Sequence, residues 1–88
     1  MPVVDRVVIA LRLYSRPGCH LCEEMKAVIA RVTQTLPVTF EEIDISADPD
    51  LEARYGLEIP VLMVDGKKAA KYRITQEALT RLLKERHG

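Results

Sequence analysis

A chain of 88 residues, 48% of them hydrophobic, is long enough to enclose one small core and short for a second. Its 13 basic and 13 acidic side chains cancel, which removes the net field expected of a nucleic-acid binder or of a protein held on an anionic membrane. Tryptophan is absent and aromatic residues make up 5%, which argues against a base-stacking platform, and no segment approaches the ~18 apolar residues of a membrane span.

The N-terminal run MPVVDRVVIALRLYS is apolar but broken by Asp5, Arg6 and Arg12, with no small-residue cleavage site after it. It reads as a strand and not as a signal peptide. Within it, Arg6–Tyr14 is β-branched and nearly continuously apolar, the pattern of a strand covered on both faces. Leu21, Met25, Val28, Ile29, Val32 and Leu36 follow at helical spacing, and Pro37 lies beyond the end of that helix. Val38–Ile45 returns to extended character.

Asp48 before Pro49 predicts an N-cap with proline at the first helical position, and Gly56 predicts the stop, giving a short helix over Pro49–Tyr55. Val61–Val64 and Lys67–Tyr72 flank Asp65-Gly66, a two-residue hairpin signal. Thr75 can cap a last helix that turns Ala78, Leu79, Leu82 and Leu83 inward. Lys67-Lys68 and Lys84–Arg86 read as solvated faces, and His87 as part of a frayed end. The order β-α-β-α-β-β-α predicts a single α/β domain over residues 1–88 with a thioredoxin-like fold. That fold is a four-stranded mixed sheet with helices on both faces, its first two strands parallel through a right-handed crossover.

Cys19 and Cys22 are the only cysteines, and they sit where the first strand hands over to the first helix. Unpaired N–H groups and the positive end of the helix dipole favour an anion there, so a thiol pKa can fall from ~8.5 into roughly the 3.5–7.5 range. Cys19 is therefore the expected nucleophile. Cys22, a turn further in, is the expected resolving thiol that attacks a mixed disulfide formed on Cys19. Arg16 and a protonated His20 would stabilise negative charge on Cys19, while Glu23 and Glu24 would hold the Cys22 thiol up. Two cysteines without a secretion signal point to a reducing cytoplasm. An intrachain zinc site lacks ligands, since His20 and His87 are the only histidines. Two further readings stay open at this stage. One is a module in which C-x-x-C thiolates from two chains hold zinc or an iron–sulfur cluster. The other is a thioredoxin-like adaptor without turnover.

The stretch YSRPGCHLC, residues 14–22, resembles the glutaredoxin active-site pattern Tyr-x-(Lys or Arg)-x-x-Cys-x-x-Cys, and EIPVLMVDGK, residues 58–67, resembles that family's segment carrying a cis-proline before the hairpin. From about Val7 to Leu83 the chain is similar to a small glutaredoxin or glutaredoxin-like protein of the thioredoxin superfamily. The resemblance implies a thiol–disulfide oxidoreductase with a Cys19–Cys22 dithiol. It implies a cis Ile59–Pro60 bond beside Cys19, with Tyr14, Ile59 and Pro60 binding substrate and the Ile59 backbone pairing with an extended thiol peptide. The partners it implies are a disulfide-containing protein or small thiol and a thiol donor or reductase that the sequence does not name, acting on a monomer without nucleic acid, membrane or resident cofactor. His20 stands where glutaredoxins usually have proline, and Ile74-Thr75 aligns with their Gly-Gly before the last helix. Side chains there obstruct close approach of glutathione, which weighs against glutathione as direct partner.

Overall fold

The computed structural model describes residues 8–34 and 36–87, the last without its side chain. The expected strand residues Arg6 and Val7 and the His87 side chain thus lie outside the described residues. The elements are β1 (Ile9–Ser15), α1 (His20–Val32), β2 (Val38–Asp44), a 3₁₀ turn (Ile45–Ala47), α2 (Pro49–Tyr55), β3 (Val61–Val64), β4 (Lys67–Lys71) and α3 (Gln76–His87). The sheet order is β2-β1-β3-β4, with β1 and β2 parallel and the other two pairs antiparallel. Among the described residues no helix is long and apolar enough to cross a membrane.

Alternation along β1 divides the interior in two. Ile9, Leu11 and Leu13 face α1 and α3, where Met25, Ile29, Leu79 and Leu83 close the main core with Leu62 and Val64. Tyr14 turns to the opposite face and packs with Ile45 and Val61 beside Leu51 and Tyr55. The expectation that β1 is covered on both faces holds only at this end. Ala10 and Arg12 are exposed, and Arg12 bonds Glu41 across the strand pair at 3.1 Å. The cause is length: seven helical residues of α2 span about 10 Å and cannot roof a strand of about 23 Å.

Local chemistry accounts for the element ends. Asp48 Oδ1 accepts the Asp50 and Leu51 amides, at 2.9 and 3.3 Å, and caps α2 behind Pro49. Thr75 Oγ1 accepts the Ala78 amide at 3.0 Å and caps α3. Gly56 ends α2 as expected, in helical conformation (φ −56°). Its glycine is a matter of space: a Cβ there would lie 2.5 Å from the Glu52 carbonyl oxygen and 2.8 Å from Glu52 Oε1.

The hairpin turn does have the left-handed backbone its sequence demands, with φ of 51° at Asp65 and 84° at Gly66. Asp65 also ties three elements together, accepting the Ala10 amide at 2.9 Å and Arg86 Nε at 2.7 Å. The Ala10 amide first, and then Arg86, hold the Asp65 carboxyl below its ordinary value of 3.8. A carboxyl depressed in the folded state contributes stability above its unfolded value, and that contribution is lost as pH falls through the folded value. Asp65→Asn keeps an acceptor and tolerates the left-handed turn. Its urea midpoint should therefore fall less steeply than the wild-type midpoint once pH drops below 3.8. Equal slopes would show that this carboxylate is not what the fold loses in acid.

Candidate functional site

The chain leaves β1 and enters α1 through a tight turn. The Cys19 amide donates to the Arg16 carbonyl at 3.2 Å, and Gly18 supplies the left-handed residue at φ 79°. Cys19 is the N-cap of α1, with extended backbone (φ −86°, ψ 111°) and its carbonyl accepting the Glu23 amide at 3.2 Å. Its Sγ takes the place of a capping oxygen and accepts the Cys22 amide at 3.1 Å. The two cysteines are joined as a disulfide, their Cα atoms 5.2 Å apart, a span that such a bond bridges without moving the backbone. Cys22 is 1% exposed and Cys19 half-buried, so the sulfur at the helix end is the accessible one.

Both cations expected to tune Cys19 are engaged by carboxylates. Arg16 donates from Nε to Glu52 Oε2 at 3.1 Å and from Nη2 to Glu52 Oε1 at 2.5 Å. His20 is 86% exposed and lies with Nε2 2.9 Å from Glu24 Oε2, one helical turn on. Glu23 is itself paired, with Lys26 at 3.0 Å, and Lys26 reaches Glu42 at 3.4 Å. Among the described residues around the sulfur, Arg16 and Lys26 are each paired with a carboxylate, and His20 lies against Glu24.

Tyr14 departs from its expected place at the substrate surface. It is 8% exposed, and its ring stacks on Tyr55 with centroids 4.5 Å apart. As the only aromatic residue on β1 it is worth more to the second core than to solvent. The Ile59–Pro60 bond is cis, Pro60 is buried, and its carbonyl accepts the Tyr72 amide at 2.9 Å. Among the described residues the Ile59 amide and carbonyl have no backbone partner.

Tyr72, whose amide donates to the Pro60 carbonyl, was not singled out by sequence reasoning. It takes the left-handed region (φ 69°), and its hydroxyl donates to the Leu57 carbonyl at 3.1 Å. Where glycine is wanted before α3, the backbone therefore places the demand at Tyr72 and not at Ile74 or Thr75. A groove of about 230 Å³ runs alongside, between Leu21, Met25 and Val28 of α1 and Tyr72, Ile74 and Thr75. Glu52 was also not singled out. It stands 36 residues from Arg16 on a short polar helix, and no spacing rule connects the two. Among the described residues no three His, Cys, Asp or Glu side chains gather to hold a metal ion.

Comparison with known proteins places the chain among glutaredoxin-like domains. The profile of the family described as Glutaredoxin-like domain (DUF836) matches residues 10–84. A glutaredoxin-like protein of Dictyostelium discoideum is 35% identical over 77 residues, covering 81% of this chain and 71% of its own. A thioredoxin of Methanocaldococcus jannaschii is 27% identical over 81 residues, covering 89% and 95%. Among solved structures, a structural-genomics target protein from X. campestris superposes with a TM-score of 0.74 at 30% identity, covering 85% of this chain and 96% of that one.

Proposed function

The chain belongs to the glutaredoxin-like domain family, and from that membership we propose that it is a thiol–disulfide oxidoreductase working through Cys19 and Cys22. The observation that carries the reading is the cap: Cys19 Sγ receives the Cys22 amide at the positive end of a 13-residue helix. A thiolate there is favoured by a directed N–H and by the helix dipole.

In the proposed cycle the Cys19 thiolate attacks one sulfur of a substrate disulfide. A mixed disulfide forms, and the other substrate sulfur leaves as a thiolate that takes up a proton. Cys22 then loses its proton and attacks Cys19 Sγ, releasing the second substrate thiol and closing the Cys19–Cys22 bond. Two electrons have passed from the dithiol to the substrate. An external thiol donor or reductase returns them, in a reducing compartment such as the cytoplasm. The Ile59 backbone, without a backbone partner among the described residues and next to buried Pro60, supports the pairing of an extended substrate segment at this point. The Tyr14 ring, 8% exposed and stacked on Tyr55, supports the strand that leads into the site.

The test is which sulfur reacts. Substoichiometric alkylation of the reduced protein at pH ~6–7 should label Cys19, because only a thiolate reacts fast and Cys22 is 1% exposed. Preferential labelling of Cys22 would reverse the assigned roles. Metal analysis of the same preparation separates exchange from a metal-bridged pair of chains, which would carry zinc or iron.

A further inference from the structure

The Arg16–Glu52 pair fastens the turn that presents Cys19 to α2. Its two contacts, at 3.1 and 2.5 Å, occupy a forked guanidinium edge in the geometry carboxylates favour. Gly56 leaves the room for it: a Cβ at that position would stand 2.8 Å from Glu52 Oε1 and 3.2 Å from Arg16 Nη2. Arg16 shares one tight turn with Cys19, whose amide its carbonyl accepts. Among the described residues nearby, Lys26 pairs with Glu23 and Glu42, His20 lies against Glu24, and Asp44 is within electrostatic reach of Arg16.

We propose that Glu52 is a specificity-determining residue: by holding Arg16 through Nε and Nη2 it cancels the one cation on the Cys19 turn and so denies anionic thiols an attraction at that sulfur. The proposal rests on Cys19 being the exchanging thiol. In the step concerned, an incoming thiolate bonds to the outer sulfur of a mixed disulfide on Cys19, and Cys19 leaves as thiolate. Electrons balance within the exchange. Charge on the incoming thiol alters only how readily it arrives. With the pair intact, an anionic and a cationic thiol meet nearly the same local charge. With Glu52 neutralised, the anion is drawn in and the cation repelled.

The experiment uses the full chain carrying Cys22→Ser, loaded as its mixed disulfide with uncharged 2-mercaptoethanol. Rates of reduction by 2-mercaptoethanesulfonate and by cysteamine, thiols of similar size and opposite charge, give an anion-to-cation ratio. Glu52→Gln should raise that ratio roughly two- to five-fold at low salt, the scale of a half-exposed charge, and the gain should vanish near 1 M salt. Arg16→Gln should lower the ratio, and the double variant should return toward the parent value. A packing role for the pair would move both thiols equally and would not respond to salt. Should Glu52→Gln fail to fold, Arg16→Gln and the double variant carry the same test. An unchanged ratio with the mixed disulfide still reducible overturns the role of Glu52 and leaves the exchange reading standing. Failure of the parent Cys22→Ser protein to form any mixed disulfide overturns both.

Discussion

Cys22→Ser protein, exposed to a disulfide substrate, should accumulate as a mixed disulfide on Cys19, and Cys19→Ser protein should lose exchange altogether. The asymmetry follows from where the two sulfurs sit. Cys19 is half-buried at the mouth of α1, and its sulfur receives the Cys22 amide at 3.1 Å. Cys22 is 1% exposed inside the first turn of α1. Without Cys22, the first attack proceeds and nothing nearby releases the product, since no other cysteine exists in the chain. Without Cys19, the remaining thiol is buried, lies a turn further from the helix end, and cannot meet a protein disulfide. Mass spectrometry under non-reducing conditions would detect the trapped adduct, and reduction rates of a protein disulfide would measure the loss. Exchange near the wild-type rate in Cys19→Ser would refute the mechanism. The Cys22→Ser backbone should stay folded, because serine is close in size and the Cys22 amide still caps onto Cys19.

Features set by neighbours in sequence were legible from the sequence. Asp48 and Thr75 satisfy backbone amides within three residues, and Asp65-Gly66 sets the left-handed backbone of its own turn, so these effects are written locally and each does what its chemistry predicts. The Cys pair is legible for the same reason, since a cap and a first turn span only Cys19–Cys22. What was not legible depends on elements meeting in space. Tyr14 was assigned to substrate through the family resemblance, and the sequence did not announce that the alternation of β1 and the arrival of Tyr55 bury its ring. Arg16 looked like a free cation until α2 brought Glu52 to it. Gly56 read as a helix stop, which it is, but that its lack of a side chain also serves the Arg16–Glu52 contact could not be read from the sequence. Tyr72 gave no signal at all, because tyrosine seldom adopts φ 69° and nothing local demands it. Its amide is fixed by Pro60, across the hairpin.

Glutathione should turn this protein over well below the rate of a dithiol donor, and Thr75→Gly should recover about ten-fold of that deficit or more. Glutathione must set its glycine carboxylate near a basic residue and bring its other end to the amides that open the last helix. Arg16 is the basic residue at hand, and Glu52 already holds it. At the helix, Thr75 Oγ1 accepts the Ala78 amide at 3.0 Å, so one donor the ligand needs is taken within the chain. Tyr72 and Ile74 add side chains along the same groove. A lost charge-assisted hydrogen bond is worth ~1.5–3 kcal/mol, which corresponds to roughly ten- to a hundred-fold in affinity. Thr75→Gly frees the Ala78 amide and removes the side chain, while glycine as an N-cap costs the helix only a few tenths of a kcal/mol relative to threonine. The gain should appear with glutathione and not with the dithiol, which needs no helix amide. Titrating the glutathione mixed disulfide of Cys22→Ser with free glutathione, with and without Thr75→Gly, reads it directly. Wild-type turnover with glutathione equal to that with the dithiol would mean that the Thr75 cap yields to the ligand and that nothing at this end of the groove excludes it.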